Sequence, residues 1–217
     1  MAISRITKIK ILDEVAKFIS TMLSPLLVPT YSTFMALSIT PKLVSVTGAR
    51  FKLLLIVFTL TCIFPMITIA VLHNFKVIKD KRLISRKERM IPYITGTVFY
   101  AVTVYHAIYT HEPKWLVMFF VGGAVTCLIS TIVNIWWKIS AHMAGMGGLL
   151  ALLWQIDAME LDIISKPWMV LYILIAIVLC GMLGTARMIL KRHTFPQVVA
   201  GFLNGLICVS LAMRLFG

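Results

Sequence analysis

Apolar residues run through this chain in long blocks, and the polar residues collect in short stretches between them. Seven apolar segments can be marked, at roughly 18–37, 51–73, 91–111, 115–137, 141–159, 168–190 and 196–216. Most approach the roughly 20 residues a helix needs to cross a bilayer. The pattern predicts an all-α, polytopic transmembrane helical bundle of about six to seven spans, forming a single domain over residues 1–217. The first segment carries Pro25 and Pro29 and is rich in Ser and Thr, so it is expected to be kinked or partly interfacial. The fifth is glycine-rich and barely long enough. No linker, low-complexity tract or repeat interrupts the series.

Composition fits this reading. Only 13% of the 217 residues are charged, where a soluble domain carries about a quarter. Lys and Arg number 21 against 8 Asp and Glu, a net charge of +13. In a soluble protein that balance would suggest nucleic acid, but here the cations sit in short loops beside apolar runs. Two readings remain: membrane-flanking charge, or recognition of an anionic substrate. Cys62, Cys127, Cys180 and Cys208 each lie within an apolar run without a CxxC pair and read as small core hydrophobes. The basic N-terminus lacks an apolar core followed by a small-residue cleavage site, so no cleaved signal peptide is expected.

Each span moves the chain to the opposite side of the membrane. The stretches 74–90, 138–140 and 191–195, after the second, fourth and sixth segments, therefore share one face, and they hold nearly all the unusual polar residues. The first contains Lys76, Lys79, Lys81, Arg82, Arg86, Lys87 and Arg89 against Asp80 and Glu88. It reads either as a solvated loop or as a clamp of guanidinium forks for phosphate oxygens. In the second, Ser140 suits a helix N-cap, which puts His142 in the first turn of the fifth segment, near a positive dipole end. In the third, Thr194 and Pro196 suit the start of a helix, with His193 just before it. Arg187 lies six residues earlier, about 9 Å away if the stretch is helical. Each signal alone also fits an ordinary basic or interfacial flank. Together they describe a phosphoryl-transfer site, with His193 as nucleophile, the arginines on the transition-state oxygens, and His142 protonating the leaving group and then activating water. No metal or other cofactor is demanded: there is no carboxylate cluster for Mg²⁺ and no tetrahedral Cys/His set.

The order of these residues resembles the type 2 phosphatidic acid phosphatase superfamily, from about Lys79 to Gly201. Arg187-x5-His193-x3-Gln197 resembles its third motif, S-R-x5-H-x3-D. Ile139-Ser140-Ala141-His142 resembles its second, P-S-G-H. The loop ending at Arg89, Met90, Ile91 and Pro92 is a loose version of its first, K-x6-R-P. The resemblance implies metal-independent hydrolysis of a lipid phosphate or diphosphate through a phosphohistidine on His193. His142 would be the general acid, Arg187 and the first-loop arginines (Arg82, Arg86, Arg89) the phosphate ligands, and Ser140 a further donor. Ala186, Ala141, Ile139 and Gln197 depart from the motifs, and Pro92 lies three residues beyond Arg89 instead of one. Gln197 can still accept a hydrogen bond from the imidazole, though it brings no charge. Polyprenyl diphosphate phosphatases of the dolichol type share the HT-x-x-Q pattern, which turns the expected substrate toward prenyl lipids.

The expected setting is a multi-pass protein of the cell membrane that meets a membrane lipid phosphate and no nucleic acid. The motif face with the N-terminus carries 15 Lys and Arg, the other face 6. The positive-inside rule puts the motif face in the cytoplasm, whereas the resemblance points to the extracytoplasmic side; both orientations stay open. Two other functions use the same residues: a phosphotransferase with the same phosphohistidine, and a non-catalytic lipid-binding or transport protein. Asp157, Glu160 and Asp162 cluster at one end of the fifth segment, and no acidic residue lies mid-span, which weakens ion-coupled transport.

Overall fold

The computed structural model describes residues 2–40, 47–79, 85–159 and 166–216. These residues form helices joined by short loops, with no strand among them. In chain order the helices are α1 (Ala2–Met22), α2 (Val28–Ile39), α3 (Thr47–Phe58), α4 (Phe64–Asn74), α5 (Met90–Tyr109), α6 (Lys114–Trp136), α7 (Ala141–Ala158), α8 (Lys166–Ile189) and α9 (Phe195–Phe216). A π-helical turn, Thr59–Ile63, joins α3 to α4, and a 3₁₀ turn, Lys87–Arg89, leads into α5.

Four stretches among the described residues are long and apolar enough to cross a membrane: Gly48–Asn74, Lys114–Trp136, Lys166–Ile189 and Phe195–Leu215. Large apolar side chains such as Phe51, Ile67, Val98, Val178 and Leu215 point outward from the bundle. That inverts the usual arrangement in water and suits a hydrocarbon surrounding.

The expected first segment, 18–37, is two helices. The chain leaves the α-helical path at Leu23, because Pro25 has no N–H to continue the ladder and its ring obstructs the preceding turn. Ser24 closes the break, its carbonyl accepting from Leu27 N at 2.9 Å and Val28 N at 3.1 Å. Pro29 then stands in the first turn of α2, where its missing N–H costs nothing. The π turn has a similar origin. Pro65 cannot donate to the Thr61 carbonyl, and the ladder adjusts by bonding Phe64 N to Thr59 O.

The pairing that positions the polar residues is α7 against α9. Their backbones approach so closely that a Cβ on Gly205 would lie 1.8 Å from the Ala144 carbonyl oxygen, and one on Gly147 would lie 2.1 Å from that of Phe202. Gly201 and Gly205 are one turn apart, the small-xxx-small spacing that lets membrane helices meet backbone to backbone. At the near end Ser140 N donates to the Gln197 carbonyl at 3.3 Å, which fixes the first turn of α7 beside the first turn of α9. Asn204 ties α6 to the same pair, its Nδ2 donating to Thr126 O at 3.1 Å and to Ser130 Oγ at 3.0 Å.

Candidate functional site

The loop ends that parity assigns to one face meet at one end of the bundle. Each histidine is set by a helix start. Ser140 is the N-cap of α7, its hydroxyl accepting from Met143 N at 3.5 Å, and His142 falls in the first turn, as its spacing from Ser140 predicts. Arg187 sits in the last turn of α8. The chain then turns through Lys191, whose φ is 52°, and His193 is delivered just ahead of α9.

Gln197 determines which nitrogen of His193 carries the proton. Its Oε1 accepts from Thr194 N at 3.3 Å and lies 3.2 Å from His193 Nδ1. A backbone N–H can only donate, so the amide atom at this point is the oxygen. His193 Nδ1 must therefore carry its proton, and Nε2 presents a bare lone pair. Arg89 meets that lone pair, with Nη1 3.3 Å from Nε2, and also donates to the Ile139 carbonyl at 3.3 Å. Gln197 thus does two things at once: it accepts the Thr194 N–H, one half of a capping box, and fixes the imidazole tautomer.

His142 has the opposite tautomer. Its Nε2 lies 3.2 Å from the Ser20 carbonyl oxygen, an acceptor only, so Nε2 carries the proton. The Ser20 hydroxyl is 3.4 Å from the same nitrogen and accepts from Arg187 Nη1 at 2.7 Å. Arg187 Nε is buried with no hydrogen-bond partner. Tyr93, one turn after Arg89, donates from its hydroxyl to the Ile139 carbonyl at 3.3 Å.

A cavity of about 600 Å³ opens beside these groups. Arg89, His142, Arg187, Arg192, Lys17 and Ser20 line it, and Leu26, Pro65, Ile69 and Phe99 continue the wall with apolar surface. It is an amphiphilic pocket with a cationic portion, of the size that holds a small-molecule ligand. His193, Gln197 and Ser140 do not line it; Arg89 does, and its Nη1 also contacts His193 Nε2 at 3.3 Å.

The cations leave a clear electrostatic mark on the loops. His193 is held down at about 3, first by burial and then by the charges of Arg89, Arg187 and Lys138, with the Gln197 hydrogen bond opposing them. Lys138 falls to about 8, first by burial and then by repulsion from Arg89, Arg187 and Arg192. Cations that depress one another in a partly buried space form a site for an anion. At about 3, His193 is neutral at physiological pH.

The other residues selected from the sequence fall elsewhere. Arg86 does not line the cavity; its guanidinium donates to the Trp136 carbonyl at the end of α6, and its own carbonyl accepts from Asn134 Nδ2 at 2.9 Å. It anchors the 3₁₀ turn that presents Arg89. Arg82 lies outside the described residues, as do Asp80, Glu160 and Asp162. Glu88 stitches the loop through backbone, accepting from Lys79 N at 2.7 Å and Ser85 N at 3.3 Å. Sequence reasoning missed Ser20, Tyr93 and Lys138 as members of this cluster. No motif flags them; Tyr93 at Arg89 plus four was the one spacing that offered a hint. Compared with known proteins, the chain matches no family model, no curated protein and no solved structure.

Proposed function

We propose that the protein is a metal-independent membrane phosphatase that hydrolyses a lipid phosphate or diphosphate through a phosphohistidine on His193. In this reading it is a divergent member of the type 2 phosphatidic acid phosphatase superfamily, crossing the cell membrane six to seven times with the site at one membrane surface. The observation that carries the proposal is the bare Nε2 of His193, set against Arg89 in a field of buried cations beside an amphiphilic cavity.

The chemistry runs as follows in this proposal. The phosphate enters against Arg187 and Arg89, and Arg89 turns its fork from His193 Nε2 to the phosphate oxygens. His193 Nε2 then bonds to phosphorus as the bond to the leaving oxygen breaks. His142, whose Nε2–H stays on the Ser20 carbonyl, takes up a second proton on Nδ1 together with the anion and gives that proton to the leaving oxygen. In the second half His142 takes a proton from water, the hydroxide bonds to phosphorus, and the P–N bond breaks to release phosphate and restore His193. The guanidinium groups hold the charge that develops on the equatorial oxygens. The apolar wall near Leu26, Ile69 and Phe99 holds the start of a prenyl or acyl tail.

The test is phosphate release from vesicles carrying a polyprenyl diphosphate or phosphatidic acid, with chelator present and no added Mg²⁺. The expected outcome is release by the wild type and none by His193→Ala. Substantial release by His193→Ala ends the assignment. A phosphotransferase would use the same phosphohistidine with an acceptor other than water, and a labelled donor with product analysis separates the two. One observation favours a lipid-binding protein instead, the seating of Arg89 on Nε2; rapid-quench detection of acid-labile phosphohistidine decides against it.

A further inference from the structure

The face that α1 turns inward does not look like that of a membrane anchor. Over its described side chains, Ala16 and Ser20 are the buried positions, one turn apart, whereas Ile11, Leu12, Val15, Phe18 and Met22 are exposed. The helix keeps its apolar side chains for the surroundings and packs a small, partly polar stripe against α8. Burial of a serine here has no apolar reward.

Its contacts supply one. Ser20 joins two groups that come from different helices, Arg187 near the end of α8 and His142 at the start of α7. The hydroxyl oxygen accepts from Arg187 Nη1 at 2.7 Å, and the main-chain carbonyl receives His142 Nε2–H at 3.2 Å. With the oxygen committed to Arg187, the hydroxyl hydrogen remains for an oxygen atom in the cavity that Ser20 lines. Arg187 keeps a buried Nε without a partner, so one edge of its fork is held by Ser20 and the other is still unsatisfied.

We propose that Ser20 is a positioning residue of the anion site, holding the Arg187 fork with its hydroxyl and the His142 ring with its carbonyl, so that α1 is a working part of that site. This rests on the reading of the cavity as a phosphoryl-binding site. It assigns a role to a residue outside all three motif segments. Lys17, one turn before Ser20, also lines the cavity, with its ammonium paired to Glu14 Oε1 at 2.5 Å.

The test compares Ser20→Ala and Ser20→Thr in the full-length protein. Alanine is the better helix former and adds no bulk, so α1 keeps its place against α8. Threonine retains the hydroxyl. Orthovanadate and inorganic phosphate binding is read by ligand-dependent melting shift, and phosphate release from phosphatidic acid vesicles by its separate KM and kcat. The expected result is about tenfold weaker vanadate binding and a raised KM for Ser20→Ala, equal to about 1.4 kcal/mol, with Ser20→Thr within about threefold of wild type. Ser20→Ala binding vanadate as tightly as wild type overturns the proposal. So does equal loss in both variants, since the hydroxyl is then not what matters. Wild-type protein that binds neither anion overturns it as well. Activity surviving in His193→Ala would remove the phosphatase reading while leaving the vanadate comparison at Ser20 intact.

Discussion

Gly201 is where the packing of two helices and the geometry of the site become one question. A Cβ at this position would lie 2.4 Å from the Ser140 carbonyl oxygen, where ordinary contact begins at 3.4 Å. Gly201→Ala must therefore part α9 from the start of α7 by about 1 Å, the difference between those distances, at a stability cost of roughly 1–3 kcal/mol for overpacking. The obstructed atom belongs to backbone, which cannot swing aside as a side chain would. Ser140 lies two residues before His142, and Gln197 lies one turn before Gly201, so the separation opens between the two histidines themselves. A misplacement of about 1 Å in a reacting constellation costs about 10²-fold in rate, near 2.7 kcal/mol of barrier. The assay is phosphate release in vesicles alongside thermal melting, with Gly181→Ala as control, because nothing lies within 4 Å of a Cβ there. Gly201→Ala is expected to lose about two orders of magnitude in activity while still melting cooperatively. Activity within about twofold of the control, with unchanged melting, would refute the claim that close approach of α7 and α9 sets the site.

Acid should act on the protein through His193. Its folded value of about 3 is below the ordinary 6.5, so the unfolded chain binds a proton that the folded site refuses. Stability should fall as pH drops through that window, and the melting temperature of wild type should decline more steeply from pH 6.5 toward 4 than that of His193→Gln; parallel slopes would contradict this. Gln197→Leu removes both the tautomer lock and the capping contact on Thr194. It should lower the phosphate-release rate by roughly 10- to 100-fold and destabilise by about 1 kcal/mol, while Gln197→Glu, which keeps the acceptor, retains the larger part of both. A leucine variant with wild-type kinetics would show that the His193 tautomer is not set at this contact.

The features that could be read from the letters alone are local and periodic. Apolar blocks gave the helices, because burial of backbone polar groups in hydrocarbon permits little else. Ser140 marked the start of α7, and His142 followed in its first turn. Thr194 and Pro196 marked the start of α9. These are decided by residues within one turn of each other, and so are visible in a string of letters. The three polar stretches expected together do meet in the structure, where Arg89 reaches both the Ile139 carbonyl and His193; the break in the first segment lies outside the interval from Asn74 to Phe195.

Other features were decided only by contacts between residues far apart in the chain. Arg86 and Arg89 carry the same charge in the same loop; the structure separates them because Asn134 and the Trp136 carbonyl hold the first at the end of α6, leaving the second to face His193. Ser20 reaches its partners across 122 and 167 positions, and no local pattern records that. Gln197 shows the boundary most clearly. Its capping of Thr194 is readable from spacing, but the lone pair that this leaves on His193 Nε2 has meaning only once α7, α9 and the first basic loop are folded against one another. Hydrogen-bond direction is local chemistry, whereas the partner waiting on the other nitrogen is a property of the tertiary fold.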